Sequence, residues 1–350
     1  MVTGGSFADF GDRFAGDDFV LAMRAYIGSS TRLCQLQKSP GLIAPPRQLR
    51  SATVVTRAMI MGGRHIRDAV AWTGVQFLRF VPGSRALRIR RDLRDSAWLR
   101  HADVVIISFP KSGRTFVRAM LSRLYQRRFD IDERKLLEFE MLRKARPEVP
   151  RLLFTHAGDA MRRPEQIKVH PGRYANARVI LLARHPGDIA VSRHHHLRHR
   201  SRGHARRRLA EQPLELFVWD EHGGIPSIVR FLNLWAELSR QRADVTIVRY
   251  EDFLTDPQGT LKSLAKQVGL RVTKADVDDA VNFAHFGNLQ EREREGYFVS
   301  ARLQPSKAGD SRSSKVRVGG SGGYRKRLEA REAKKIDRYI AEHLDPCFGY

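Results

Sequence analysis

Short apolar runs that end in a polar turn and pass directly into a helical pattern recur along this 350-residue chain. The two clearest are VVIISFPKSGRTF at 104–116 and VILLARHPGDIAVS at 179–192. Their apolar parts do not alternate with polar residues, which is typical of strands covered on both faces in a parallel sheet. The chain is therefore predicted to fold as an α/β protein with a central, mostly parallel sheet between layers of helices.

The same pattern predicts the individual elements and their limits. Strands are expected at 104–108, 152–155, 177–183 and 245–249, and helices at 116–126, 259–268 and 325–343. Two segments, 198–208 and 301–323, are rich in basic and small residues and are expected to be a solvated, mobile loop and a flexible phosphate-binding loop.

The first hundred residues differ in character from the rest of the chain. Residues 1–100 lack the pattern of strand, turn and helix that 101–350 repeat, so we expect a partly helical or flexible N-terminal extension before one α/β domain. Within the extension, 64–100 is basic and amphipathic. A helix packed on the main domain is the favoured interpretation, and peripheral contact with a membrane surface is the alternative.

Charge and composition narrow the class of partner. The chain has 63 Lys and Arg against 38 Asp and Glu, a net charge of +25, which favours anionic ligands such as nucleotides, nucleic acid, acidic glycans or a membrane surface. We see no secretory signal and no apolar run long enough to span a bilayer. The two cysteines have neither disulfide nor metal-site spacing, and a cytoplasmic location is expected.

The first turn, PKSGRTF at 110–116, has the composition of an anion-binding loop. Gly113 permits an unusual backbone turn, so that amide groups of the turn and of the next helix can point at a phosphate. Lys111 adds a positive charge, and the hydroxyl groups of Ser112 and Thr115 add donors. The loop lacks the upstream glycine and fixed spacer of a Walker A sequence, which disfavours a metal-dependent NTPase. An ordinary glycine-containing turn is the alternative.

The second turn, RHPGDIAVS at 184–192, has a comparable design. Arg184 stands at the carboxyl end of a predicted strand, where open α/β sheets bind ligands. Asp188 is expected to cap the following helix, and Ser192 to lie about one turn into it. Arg184 can hold a phosphate through two parallel hydrogen bonds, and Ser192 can add a third. A plain salt bridge of Arg184 is the alternative. Two such sites in one chain point to a ligand with two separate phosphate groups.

The two segments resemble motifs of one known family. The first resembles the 5′-phosphosulfate loop of the sulfotransferases that use 3′-phosphoadenosine 5′-phosphosulfate (PAPS), and the second resembles their 3′-phosphate motif. VRYEDFLTDP at 248–257 resembles the family's strand that ends in Tyr-Glu-Asp, and RVGGSGGY at 317–324 resembles its C-terminal glycine loop. The resemblance covers about residues 101–343. It implies a P-loop NTPase-like domain that transfers a sulfuryl group from PAPS, without a metal, to a hydroxyl or amine.

The resemblance also assigns donor-binding roles by position. A donor with about four negative charges needs several cations around it, and the assigned segments supply them. The positions implied are, on the 5′ side, Lys111, Ser112, Gly113, Arg114 and Thr115, at the 3′-phosphate Arg184, Ser192 and Arg317, and at the adenine Phe116 and Tyr250. Gly319 of the C-terminal loop is a further expected donor-binding position.

The resemblance implies a catalytic base as well. The family often has Lys-Thr-His near the end of the strand that follows the first helix, and LLFTH at 152–156 matches it at Thr155 and His156. A histidine can accept the proton of an attacking hydroxyl near neutral pH, while Lys111 would stabilise the leaving phosphate. A structural histidine at a strand end is the alternative for His156.

The chain departs from the family's pattern at several positions inside its motifs. Arg114 replaces a small threonine, His185 replaces the asparagine before Pro186, and Val318 replaces the lysine of the C-terminal loop. Gly323 and Tyr324 stand where that loop usually has Asp-Trp, so Arg317 is the weakest of the assigned positions.

The histidine cluster and the basic composition also allow other interpretations of the sequence. The histidines at 194–196 and at 199 have spacing that could suit zinc, but they continue into a run of arginines and contain no acidic or cysteine ligand, so a solvated, acceptor-facing segment is favoured. A basic protein that binds nucleic acid or another polyanion without catalysis is a minor alternative, as is a kinase-like enzyme. The acceptor is expected to be a small molecule, a lipid or a glycan.

Overall fold

The computed structural model describes residues 93–158, 161–200, 209, 211–300, 303–304, 314–316 and 319–350. All of them belong to the compact unit Arg67–Tyr350. The expectations for residues 1–92, which include most of the basic segment and its proposed membrane contact, lie outside the described residues, as do those for 201–208 and Arg317. Residues 93–99, at the end of the predicted extension, are helical.

Four parallel strands form the central sheet in the order β2-β1-β3-β4. They are β1 Val104–Ile107, β2 Leu152–Thr155, β3 Arg178–Ala183 and β4 Val245–Arg249. Every residue of β1 is buried, and in β3 only the first residue is exposed. The apolar runs are thus covered on both faces, as the sequence predicted. The predicted strands are confirmed, and β1 and β3 are each one residue shorter than expected.

Helices cover both faces of this sheet. Besides the helical residues 93–99, the α-helices are α1 Arg114–Phe129, α2 Phe139–Arg143, α3 Pro186–Arg200, α4 Leu214–Phe217, α5 Ile225–Gln241, α6 Asp252–Thr255, α7 Pro257–Gln267, α8 Lys274–Ala284, α9 Phe286–Arg294 and α10 Ala330–His343. Short 3₁₀ turns lie at Pro164–Gln166, Pro171–Tyr174, Gly323–Lys326 and Pro346–Phe348. Within the described part of the chain, no helix combines the length and apolar character needed to cross a bilayer.

The hydrophobic core is divided by the sheet into two layers. Val105 and Ile107 of β1 pack in one cluster with Trp235 of α5, whereas Val104 and Ile106 pack in the other with the helices α1, α7 and α8. Successive side chains of a strand point to opposite faces, so this division follows from the pleat. The arrangement is a three-layer α/β fold with one central parallel sheet, as expected.

Several helix limits differ from the prediction for identifiable reasons. α1 is longer at both ends, because left-handed residues, Gly113 and Asp130, mark its start and end at φ 86° and 51°. α7 begins at Pro257, where the Asp256 side chain accepts a hydrogen bond from the amide of Gly259. Residues 198–200 belong to α3 rather than to a loop, and α10 begins at 330 rather than 325 because a 3₁₀ turn precedes it.

Candidate active site

Four of the residues predicted to bind the donor or catalyse transfer lie just after the carboxyl ends of the four strands. His156 follows β2, Lys111 follows β1, Arg184 follows β3 and Tyr250 follows β4. Because the sheet order is β2-β1-β3-β4, these four positions form one row along the carboxyl edge. Neighbouring strands are about 4.8 Å apart, so the row spans about 14 Å. The structure therefore brings the separate sequence motifs together in one site.

The loop after β1 is built as a tight turn with an open helix end. Lys111 and Gly113 both have positive φ, 82° and 86°, a conformation that costs energy for lysine but not for glycine. The buried Ser112 hydroxyl donates to the carbonyl of Phe109 at 2.9 Å and so holds the turn. No side chain of the described residues caps α1, and its first turn contains no acidic residue. This helix end therefore presents amide groups and a positive dipole to the site.

The ring of Tyr250 packs directly against the backbone of this loop. A Cβ on Gly113 would lie 2.3 Å from Cδ2 of Tyr250, so the ring and the loop backbone are in close contact. The ring of Phe116 meets that of Tyr250 at 6.0 Å and that of Phe253 at 6.1 Å, both edge to face. The two aromatic residues expected at the adenine are thus neighbours, and Gly113 is required for the approach of the loop to them.

Arg184 links three segments of the site. Its Nη1 donates to the carbonyl of Lys111 at 3.1 Å and its Nη2 to that of Gly320 at 3.0 Å. The guanidinium also lies 4.5 Å from the ring centroid of Tyr250. Its Nε is buried and has no hydrogen-bond partner among the described residues.

Ser192 lies on α3 and is half-buried. It was expected about one turn into this helix, but α3 begins at Pro186, so Ser192 is in its second turn. Gly319 of the C-terminal loop lies against Phe286, where an added Cβ would come within 3.1 Å of the ring.

Asp188 does not cap α3, contrary to the expectation from sequence. It lies inside the first turn, is buried, and accepts hydrogen bonds from the amides of Gly322 at 2.8 Å and Tyr324 at 3.1 Å. Tyr324 in turn lies where a Cβ on Gly187 would meet its ring at 2.8 Å. Asp188 therefore holds the C-terminal loop against α3, because it accepts from one half-buried amide and one buried amide of that loop.

His185 explains one departure from the family's pattern. Its Nδ1 accepts a hydrogen bond from the amide of Gly187 at 3.2 Å, as the oxygen of an asparagine side chain can. The imidazole stacks on Tyr324 at 4.7 Å and meets Tyr350 edge to face at 5.3 Å. Burial lowers the pKa of His185 to about 4, so the ring is neutral at pH 7 and keeps this acceptor.

The geometry around His156 defines which nitrogen can accept a proton. Its Nδ1 lies 2.7 Å from the carbonyl oxygen of Ser108, which can only accept, so Nδ1 carries the hydrogen. In the neutral ring Nε2 then holds the lone pair. The neighbouring Thr155 is buried, and its hydroxyl donates to Asp95 at 2.7 Å and accepts from the amide of Ala157 at 3.1 Å. These contacts fix the end of β2 and the ring that follows it.

The consecutive histidines of α3 face different surroundings. His194 donates from Nε2 to the carbonyl of Gln212 at 2.9 Å and is only 8% exposed, so the expectation of a solvated residue is wrong for it. His195 lies 4.4 Å from His199, ring centroid to ring centroid. Because successive residues of a helix point about 100° apart, the three consecutive histidines face different parts of the structure.

His196 is a site residue that sequence reasoning missed. Burial, together with the nearby cations Lys111, Lys315 and Arg200, lowers its pKa to about 3. Its Nδ1 is buried without a hydrogen-bond partner in the described part of the chain. The signal in the sequence was the spacing of Arg193, His196 and Arg200, which places them on one face of a helix.

Glu293 positions the segment around Lys315 and Val316, which lies beside α3. The carboxylate is buried and accepts from the amides of Lys315 at 2.7 Å and Val316 at 2.8 Å. Arg200 lies 3.9 Å from the same carboxylate. The C-terminal segment is therefore held beside α3 and the lysine of the first loop.

Comparison with known proteins identifies the family. The sulfotransferase domain model matches residues 101–348, and the chain therefore belongs to the sulfotransferase family. It is 26% identical to sulfotransferase 1A1 of Canis lupus familiaris over 70% of this chain and 84% of that protein. It is 25% identical to cytosolic sulfotransferase 1 of Arabidopsis thaliana over 69% of this chain and 78% of that protein.

A solved structure shows the same fold. Retinol dehydratase, in complex with androsterone and the inactive cofactor PAP, matches with a TM-score of 0.50 at 17% identity, over 72% of this chain and 84% of that one. The enzyme class and donor expected from the two sequence motifs, a sulfotransferase that uses PAPS, are confirmed. Non-catalytic polyanion binding and a kinase-like activity are set aside by the family membership.

Proposed function

We propose that this sulfotransferase binds PAPS along the row of strand ends and transfers its sulfuryl group to a hydroxyl of a small-molecule acceptor, with an amine as the secondary candidate. The observation that carries the proposal is the order of the row. Along the edge of the sheet the residues lie in the order His156, Lys111, Arg184 and Tyr250, each of them after one of four neighbouring strands. A donor whose 5′ end lies at Lys111 and whose 3′-phosphate lies at Arg184 then directs its sulfuryl group toward His156.

The residues along this row of strand ends have the chemistry needed to bind the negatively charged PAPS. The open N-terminus of α1 supplies amide donors, and Lys111 supplies a charge beside them. Arg184 lies over Tyr250 and binds the carbonyls of Lys111 and Gly320, so it places a positive charge between the first loop and the C-terminal loop while it packs on an aromatic ring. The remaining assigned positions, Ser112, Arg114, Thr115, Phe116, Ser192, Arg317 and Gly319, complete the proposed donor site.

His156 is proposed as the general base. PAPS supplies the sulfuryl group, and the chain has to remove the proton of the acceptor and stabilise the leaving phosphate. Nε2 of His156 can take that proton because Nδ1 is committed to Ser108. Lys111, in the loop that follows the neighbouring strand β1, can stabilise the charge that develops on the phosphate side.

The acceptor and location are proposed from the relatives. The chain is similar to proteins named 3-beta-hydroxysteroid and 3-alpha-hydroxysteroid sulfotransferase from Cavia porcellus, whose names indicate small hydroxylated acceptors. A small-molecule acceptor is therefore proposed ahead of a lipid or glycan. The cytoplasmic location stays a prediction.

Thermal stabilisation by 3′-phosphoadenosine 5′-phosphate (PAP) tests the donor site. PAP without magnesium should raise the melting temperature of the wild-type protein, since no metal is needed to neutralise it here. Lys111→Ala and Arg184→Ala should each weaken PAP binding about ten- to a hundredfold, the cost of a lost charged hydrogen bond. Lys262→Ala, which removes an exposed lysine of α7, is the matched control. Stabilisation by ATP with magnesium but not by PAP would contradict the proposal.

A further inference from the structure

A small cleft lies beside His156 and is lined by both apolar and positively charged side chains. Its apolar side includes Ile167 and the rings of Phe109 and Phe231, which meet edge to face at 5.4 Å. All three apolar residues are buried, so they form a firm surface rather than a mobile flap. By its chemistry, this surface suits a molecule that presents a hydroxyl group to His156 and an apolar or aromatic body to the three apolar side chains.

The charged side chains that line the cleft are both cationic, Arg162 and Lys168. Nη1 of Arg162 lies 3.6 Å from the position of a Cβ built on Gly158, so the guanidinium rests beside the turn that follows His156. The carbonyl of Arg162 accepts from the Ser227 hydroxyl at 3.1 Å, which holds the backbone against α5.

These two cations have no acidic neighbour at the cleft among the residues that the structure describes. Neither Arg162 nor Lys168 forms an ion pair there, and the described lining contains no carboxylate. The buried Arg193 lies nearby, 5.5 Å from the ring centroid of Phe109, and contacts the sulfur of Met161 at 2.8 Å. Charges near apolar walls interact more strongly than they do in water, so the cleft attracts an anion.

We infer that the acceptor is an acid: a small molecule with a hydroxyl group, an aromatic or other apolar body, and a carboxylate held by Arg162 and Lys168. The inference rests on the proposed function, because it assigns this cleft to the acceptor of that reaction. The planar guanidinium of Arg162 matches a carboxylate with two parallel hydrogen bonds. A neutral acceptor of the same shape would cover two cations without compensating their lost hydration.

A matched pair of acceptors tests the inference directly. 4-Hydroxyphenylacetate and its methyl ester share the ring and the hydroxyl group and differ in the charge and in one methyl group. With labelled PAPS, the wild-type enzyme should use the acid with a kcat/KM about tenfold or more above that of the ester. Arg162→Gln and Lys168→Gln should each lower kcat/KM for the acid about tenfold and change that for the ester less than about threefold. Arg162→Lys should retain part of the preference, and Lys262→Gln should leave both values unchanged.

PAP binding, measured on the same preparations, distinguishes a failure of the acidic-acceptor inference from a failure of the proposed function. If PAP binds but the ester is used as well as the acid, or neither compound is used, the acidic acceptor is overturned and the donor site stands. Transfer to an anionic phospholipid vesicle or a sulfated glycan in preference to the acid would also overturn it. If the wild-type protein does not bind PAP, the proposed function itself fails.

Discussion

Replacing Gly113 with alanine probes the contact between the first loop and the ring of Tyr250. Gly113 has a φ of 86°, which costs an alanine about 1–2 kcal/mol. The new Cβ would lie 2.3 Å from Cδ2 and 2.7 Å from Cε2 of Tyr250. That ring is packed between Arg184 and Phe116, so it cannot move away freely, and overpacking of this kind costs about 1–3 kcal/mol. The total expected loss in the free energy of unfolding is about 2–5 kcal/mol.

Urea unfolding and PAP titration measure the two consequences of this substitution. Gly296→Ala is the matched control, because Gly296 also has a positive φ, 65°, but an added Cβ meets nothing within 4 Å. The control should lose only the backbone strain, about 1–2 kcal/mol, and bind PAP normally. Gly113→Ala should lose more stability and bind PAP at least about tenfold more weakly, since the loop amides move. Equal losses in the two variants with normal PAP binding would refute the reasoning.

Two further predictions concern the loop after β3 and its C-terminal partner. The pKa of His185 is lowered from 6.5 to about 4, so protonation favours the unfolded chain, and stability complete above pH 6.5 is lost progressively toward pH 4, by about 3 kcal/mol. His185→Asn keeps an acceptor for Gly187 and should flatten that part of the pH dependence in urea unfolding, whereas an unchanged slope would count against it. Asp188→Ala removes the acceptor of the Gly322 and Tyr324 amides and should lower stability by about 2–3 kcal/mol and weaken PAP binding. Asp256→Ala, which removes a carboxylate that caps α7, is the comparison, and normal PAP binding by Asp188→Ala would contradict a role for the C-terminal loop.

The sheet and the row of site residues were predictable from sequence because they depend on local pattern. An apolar run without alternation identifies a buried parallel strand, and the residues just after it identify the carboxyl edge. Lys111 and Arg184 could therefore be placed from the pattern, whereas His156 and Tyr250 were assigned through the resemblance to the sulfotransferase motifs. The order of the strands fixed how these positions follow one another, and that order came from the structure.

What could not be predicted depends on contacts between distant segments. Asp188 has the sequence context of a helix cap, yet its partners Gly322 and Tyr324 lie more than a hundred residues further on. His196 is one of three consecutive histidines, and the phase of α3 alone decides which of them faces Lys111. Spacing within a helix can nominate such a face, but only packing against the rest of the domain shows what it meets.

Turnover and PAP affinity of His156→Ala, measured together, test the central claim most directly. The acceptor is the best substrate found with labelled PAPS, and His170→Ala, which removes an exposed histidine, is the control. We predict that His156→Ala binds PAP within about threefold of wild type but loses about 10²–10⁴-fold in kcat, because a general base at Nε2 is missing. Near-normal turnover by His156→Ala, with PAP binding intact, would contradict the account of catalysis at this row of strand ends.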